Sequence, residues 1–169
     1  MVPARMTITG RWRRRMAALV TVPFLVGVGL VGLAAPATAA SCYAGSCTGK
    51  GPVSQGCDND ASAIAEVPMT TGDGYTKVQL EYSQACKAMW ARGRSLPKSD
   101  FDIKIVKHRT SDNAALYSHR VTVYSGCSGC ANPWEWTNMA GWTSGSKIRA
   151  CIQDPFTNKW ACTTWFRLA

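Results

Sequence analysis

Histidine is nearly absent from the 169 residues, which contain only His108 and His119. No H-E-x-x-H, G-x-S-x-G or Gly-rich phosphate loop occurs either. These absences remove the common zinc-hydrolase, serine-hydrolase and nucleotide-binding signatures. Acid is also scarce, with ten Asp and Glu against nineteen Lys and Arg. Nothing in the spacing of the two histidines points to a Ser-His-Asp or paired-carboxylate scheme, so the residues favour a binding role over an enzyme.

What is present begins with a targeting pattern. Met1 to Arg15 carries Arg5, Arg11, Arg13, Arg14 and Arg15, the run 16–35 is uncharged and mostly apolar, and Pro36 to Ala40 is a small-residue stretch. That order reads as a secretory signal over residues 1–40, with a single mature domain over 41–169. The alternative is a protein anchored in the membrane through residues 16–35. Removing the signal takes away five basic residues and no acid, leaving a net charge of +4 (14 − 10). No block of like charges survives, so nucleic acid is not the expected partner.

All eight cysteines, Cys42, Cys47, Cys57, Cys86, Cys127, Cys130, Cys151 and Cys162, follow the signal. An even number in an exported chain reads as disulfides, and pairing between neighbours gives Cys42–Cys47, Cys57–Cys86, Cys127–Cys130 and Cys151–Cys162. Bonded cysteines supply no thiolate, so neither a metal nor any other cofactor is expected. Cys127-x-x-Cys130 has the spacing of a redox dithiol, but Gly126 and Asn132-Pro133 frame it as a loop, which favours a structural bridge.

Val78, Leu80 and Tyr82 alternate with Lys77, Gln79 and Glu81, the pattern of a half-buried strand. Phe101, Ile103 and Ile105 repeat it, and Tyr117, His119, Val121 and Val123 complete a hairpin. Ile148 to Ile152 and Trp160 to Phe166 form a second hairpin around Asp154 to Asn158, with Cys151 and Cys162 at matching positions. Ala61 to Val67 fits a helix or a strand. Ser83 to Ala91 reads as one helical turn, N-capped by Ser83, with Cys86, Met89 and Trp90 on one face. The expected fold is mainly β, a small disulfide-stapled antiparallel sandwich or barrel with one short helix.

Six tryptophans lie beyond the signal, and Trp134, Trp136 and Trp142 fall within nine residues. Exposed aromatic rings stack on sugars or anchor protein partners. The expected partner is therefore a cell-wall glycan or an extracellular protein, met through these three residues. The alternative is an extracellular inhibitor or effector that presents the loop held by Cys42 to Cys57.

The run C-x-x-G-x-C-x-G-K-x-P-x-x-x-G-C from Cys42 to Cys57, joined to L-x-Y-S-x-x-C-x-x-x-W-A-R from Leu80 to Arg92, resembles a bacterial family known as domain of unknown function 2690. Trp136-Thr137-Asn138-Met139 and Arg149-Ala150-Cys151 are similar to further segments of it. The resemblance implies an exported or envelope-associated domain and no established activity. Gly51 stands where the family usually has aspartate, Glu81 where it usually has arginine, and Cys127 to Cys130 looks like an addition.

Overall fold

Alternating apolar residues on short strands need a second sheet to bury them, and the chain supplies two. The computed structural model describes residues 39–71, 74–94, 99–125 and 134–168. The signal pattern up to residue 38 and the Cys127-x-x-Cys130 segment lie outside the described residues.

The strands are β1 (Ser62–Thr71), β2 (Gly74–Ser83), β3 (Ala88–Arg94), β4 (Phe101–Arg109), β5 (Ala115–Val123), β6 (Trp134–Trp136), β7 (Ala140–Gly141), β8 (Ser146–Gln153) and β9 (Trp160–Cys162). One antiparallel sheet has the order β1-β2-β3-β6, with β7 also paired to β3; the other has the order β5-β4-β8-β9. The first is called sheet A below and the second sheet B. Ala61 to Val67, open between helix and strand in the sequence, lies mostly in β1.

The sheets pack face to face. Val78, Leu80, Met89 and Ala91 from sheet A meet Phe101, Ile103, Ile105, Val123, Ile148, Ala150 and Ile152 from sheet B in one buried cluster. Each large side chain buried there contributes about 1.5–3 kcal/mol of transfer free energy. Both expected hairpins form, β4 with β5 and β8 with β9. In the second, Cys151 lies directly opposite Cys162 and is bonded to it, with Cα atoms 4.0 Å apart.

The helix expected over Ser83–Ala91 is absent, and this corrects the sequence reading. β2 runs to Ser83, a turn covers residues 84–87, and β3 begins at Ala88. The local chemistry that suggested a cap is real: the Ser83 Oγ accepts the Cys86 N–H at 3.0 Å. Lys87 then takes a left-handed φ of 45°, which stops a helix from continuing. The described residues form no α-helix, only 3₁₀ turns at Ala44–Cys47 and Val53–Gln55. No helix among them is long and apolar enough to cross a membrane.

The segment 42–57 is a cap on the outer face of sheet A. Cys42–Cys47 closes its first turn, and Cys57–Cys86 ties it to the turn between β2 and β3. The Ala44 N–H donates to the Cys86 carbonyl at 2.7 Å, while Lys50 O and Gly49 N–H bond the Met139 backbone, each at 2.9 Å. These contacts bury the four cysteines with Ala88, Trp90 and Met139 in a second cluster, separate from the inter-sheet core.

Candidate functional site: a cleft between the cap and sheet A

In antiparallel strands, directly opposed residues share a face, and so do residues two apart along one strand. Glu81 opposes Trp90 on β3, and Arg92 opposes Trp136 on β6. All four therefore point away from the core, towards the cap. The cap stops short of covering them completely. A cleft of about 250 Å³ remains, with Pro52, Val53, Asp58 and Ala61 on the cap side and Glu81, Trp90, Arg92 and Trp136 on the sheet side.

Its floor is closed and its rim is open. Trp90 is only 3% exposed, whereas Trp136 is 40% exposed and Val53 is also open to solvent. Glu81 is 4% exposed despite its charge. Its Oε1 lies 3.6 Å from Nη1 of Arg92, whose guanidinium sits over the Trp134 ring at 4.3 Å from the centroid. Burial pushes the Glu81 carboxyl up, and the neighbouring Arg92 only partly opposes that rise. The cleft thus combines an aromatic wall with a guanidinium donor and carboxylate acceptors.

Thr137 fixes the position of the aromatic wall. Its N–H donates to the Ala91 carbonyl at 3.0 Å, and its Oγ1 accepts the Ala91 N–H at 3.1 Å. That pair extends the β3–β6 pairing by one residue and holds Trp136 beside Arg92. The next residue, Asn138, donates its N–H to Nδ1 of His119 at 3.2 Å.

Of the three tryptophans singled out in the sequence, Trp134 and Trp136 share the outer face of sheet A. Trp142 instead packs against the inter-sheet core, and its N–H donates to the Lys87 carbonyl. His108 lies on sheet B, with Nδ1 3.2 Å from the Asn113 side chain and its ring against Trp165. No carboxylate pairs with either histidine among the described residues. The sequence reading did not assign Glu81, Arg92, Trp90 or Asp58 to a site. The strand alternation that placed Glu81 on a polar face was the available signal, but nothing local shows that a cap lies over it.

The sulfurs of Cys42, Cys47, Cys57 and Cys86 all lie within 4.8 Å of one another. Paired as two disulfides, they offer no thiolate to a metal ion. Such bridges belong to an oxidising environment.

Fold and site together define a disulfide-bonded β-sandwich with one face roofed by a stapled cap. The chain belongs to the family described as a protein of unknown function, DUF2690, which matches residues 45–129. That span takes in nearly all of the cap and β1 to β5, while Trp136 on the cleft wall lies beyond it. Comparison with curated proteins and with solved structures gave no match.

Proposed function

We propose that this protein is an exported binding module that holds a glycan segment of the cell envelope in the cleft between the cap and sheet A. The observation that carries the reading is the exposed face of Trp136 standing beside the Glu81–Arg92 pair. An open indole provides apolar area for the carbon face of a sugar ring. A carboxylate and a guanidinium at its edge match hydroxyl and amide groups in orientation-dependent hydrogen bonds. Export is supported by the basic, apolar and small-residue order of residues 1–40 and by the disulfides.

An effector that presents the loop Cys42 to Cys57 has less support. A presented loop stands clear of its scaffold, whereas here its three cysteines, Cys42, Cys47 and Cys57, are buried together with Pro52.

Co-sedimentation of the purified protein with insoluble cell-wall glycan tests the proposal. The protein should pellet with the glycan, and Trp136→Ala should weaken retention about tenfold, as loss of one central aromatic contact does. Wild-type protein that stays in the supernatant would rule the reading out.

A further inference from the structure

The opposite side of the molecule carries a second surface, unrelated to the cleft. On the outer face of sheet B, Lys104 of β4 stands directly opposite Arg120 of β5. Arg149 and Lys147 follow on β8, where Arg149 opposes Val106 and Lys147 opposes His108. Like charges set directly across a sheet are destabilising. Their crowding is visible in Lys104, whose amine is held below its ordinary pKa by burial and then by Arg149 and Arg120.

Two tryptophans organise these cations. The Lys104 Nζ lies 3.7 Å from the Trp160 ring centroid, and the Arg120 guanidinium 5.7 Å from it. Arg149 and Lys147 lie over Trp165 at 4.3 and 4.8 Å. The strands of this face carry one carboxylate, Asp102, and it is paired with Arg120. No carboxylate lies within ion-pair distance of Lys104, Lys147 or Arg149 among the described residues. The Arg149 Nε is buried without a hydrogen-bond partner. With strands about 4.8 Å apart, Arg120, Lys104 and Arg149 span about 10 Å across three neighbouring strands.

We infer that the outer face of sheet B binds a linear extracellular polyanion carrying regularly spaced oxyanions. A row of cations that repel one another is relieved by an anion that bridges them, and a compact single anion cannot reach across three strands. Arginine favours oxyanions because its planar donors match two oxygens at once. Nucleic acid fits less well. Single-strand binding combines a basic groove with base stacking on open aromatic rings, and both rings here are covered by cations. The disulfides also place the domain in an oxidising compartment, away from most nucleic acid.

The test is fluorescence titration of the exported, disulfide-intact protein with poly(glycerol phosphate), with polygalacturonate and with single-stranded DNA of similar charge. Binding to either of the first two supports the inference, and the tighter one identifies the oxyanion as phosphodiester or carboxylate. Affinity should fall linearly with salt on logarithmic axes, with a slope near 2 for about three neutralised cations. The double variant Lys104→Gln, Lys147→Gln should lose at least about tenfold in affinity and flatten that slope. Arg149→Gln should act in the same direction, and the Lys pair decides the matter if that half-buried change disturbs folding. Trp136→Ala, in the cleft on sheet A, should leave polyanion binding unchanged. Binding to neither polymer, wild-type affinity in the Lys double variant, tighter binding to DNA, or loss of polymer binding in Trp136→Ala would each overturn it.

Discussion

The Lys107 Nζ donates a hydrogen bond of 2.6 Å to the carbonyl oxygen of Gly141, reaching from β4 in sheet B to β7 in sheet A. The amine is buried, and burial holds its pKa below the ordinary lysine range. The unfolded chain therefore binds more protons than the native one between the lowered value and about 10.4. Stability contributed at this site should rise as pH increases through that interval.

Lys107→Met should remove that rise. It also leaves the Gly141 carbonyl without its donor, a loss of about 1–3 kcal/mol at neutral pH. Denaturant midpoints for both proteins, taken at intervals from neutral to mildly alkaline pH, should show the two curves diverging as wild type gains stability. Parallel curves would refute the assignment.

Gly141 is also where the cap docks. A Cβ built on it would overlap the Ala44 carbonyl oxygen, a backbone atom that cannot swing aside. Its N–H donates to the Thr48 Oγ1 at 3.1 Å. Gly141→Ala should therefore separate the cap from β7 and destabilise the protein by about 3 kcal/mol, the upper end of the usual cost of overpacking a buried site. Gly145→Ala provides the comparison: a Cβ there meets nothing within 4 Å, and only its φ of +71° opposes the change. The measurement is a pair of thermal melts, in which Gly141→Ala should show the larger drop.

The bridges should differ in worth. Cys57–Cys86 spans 29 residues and Cys151–Cys162 spans 11. Chain entropy assigns about 3.6 and 2.8 kcal/mol to loops of those lengths. Replacing Cys57 and Cys86 together by alanine should cost more than replacing Cys151 and Cys162, and it should open the cleft, because it frees the cap from the β2–β3 turn. Urea unfolding gives the first comparison, and tryptophan fluorescence of the folded variants reports the second.

Glu81 gives a pH effect of opposite sense to that of the other shifted carboxyls. Its native pKa is raised, so between the ordinary glutamate value near 4.3 and the native value the folded state holds more protons. Its contribution to stability should fall as pH rises through that interval. The stability of Glu81→Gln relative to wild type should accordingly climb from acid towards neutral pH and then level off. Asp60 and Asp102 have lowered values in both proteins; in each, hydrogen bonds outweigh an opposing burial effect, and they cancel in the difference. A relative stability that falls with pH would contradict this account.

Much of the sandwich was legible because alternation is a local signal. Ile103 and Ile105, or Ile148 and Ile152, disclose an inward face without any knowledge of the opposing sheet. The neighbouring-cysteine rule located three bridges for a similar reason, since each closes between adjacent elements. The turn at Ser83–Lys87 was misread because Ser83 accepts the Cys86 N–H as a helix cap would, and spacings of three and four placed Met89 with Trp90. In β3 those two residues point to opposite faces.

The cleft and the cationic face were illegible for a different reason. Glu81 has the sequence pattern of an exposed residue, and the cap-side residues that share its cleft, Pro52, Val53, Asp58 and Ala61, are distant in sequence. Lys104, Arg120, Lys147 and Arg149 form no run in the chain, so charge patterning along the sequence shows nothing. They become neighbours only when β4 pairs with both β5 and β8. Trp142, close to Trp136 in sequence, is separated from it by the same kind of long-range pairing.

The Sγ atoms of Cys42 and Cys57 lie 3.8 Å apart although each is bonded to another partner. Four sulfurs this close make disulfide exchange among them a matter of small displacements, since a thiolate attacks whichever sulfur it can reach. Oxidation of the nascent cap should therefore yield shuffled isomers restricted to Cys42, Cys47, Cys57 and Cys86, with Cys151–Cys162 paired correctly from the outset by its hairpin. Acid-trapped intermediates mapped by proteolysis would reveal that division, and a disulfide isomerase should speed maturation of the cap alone.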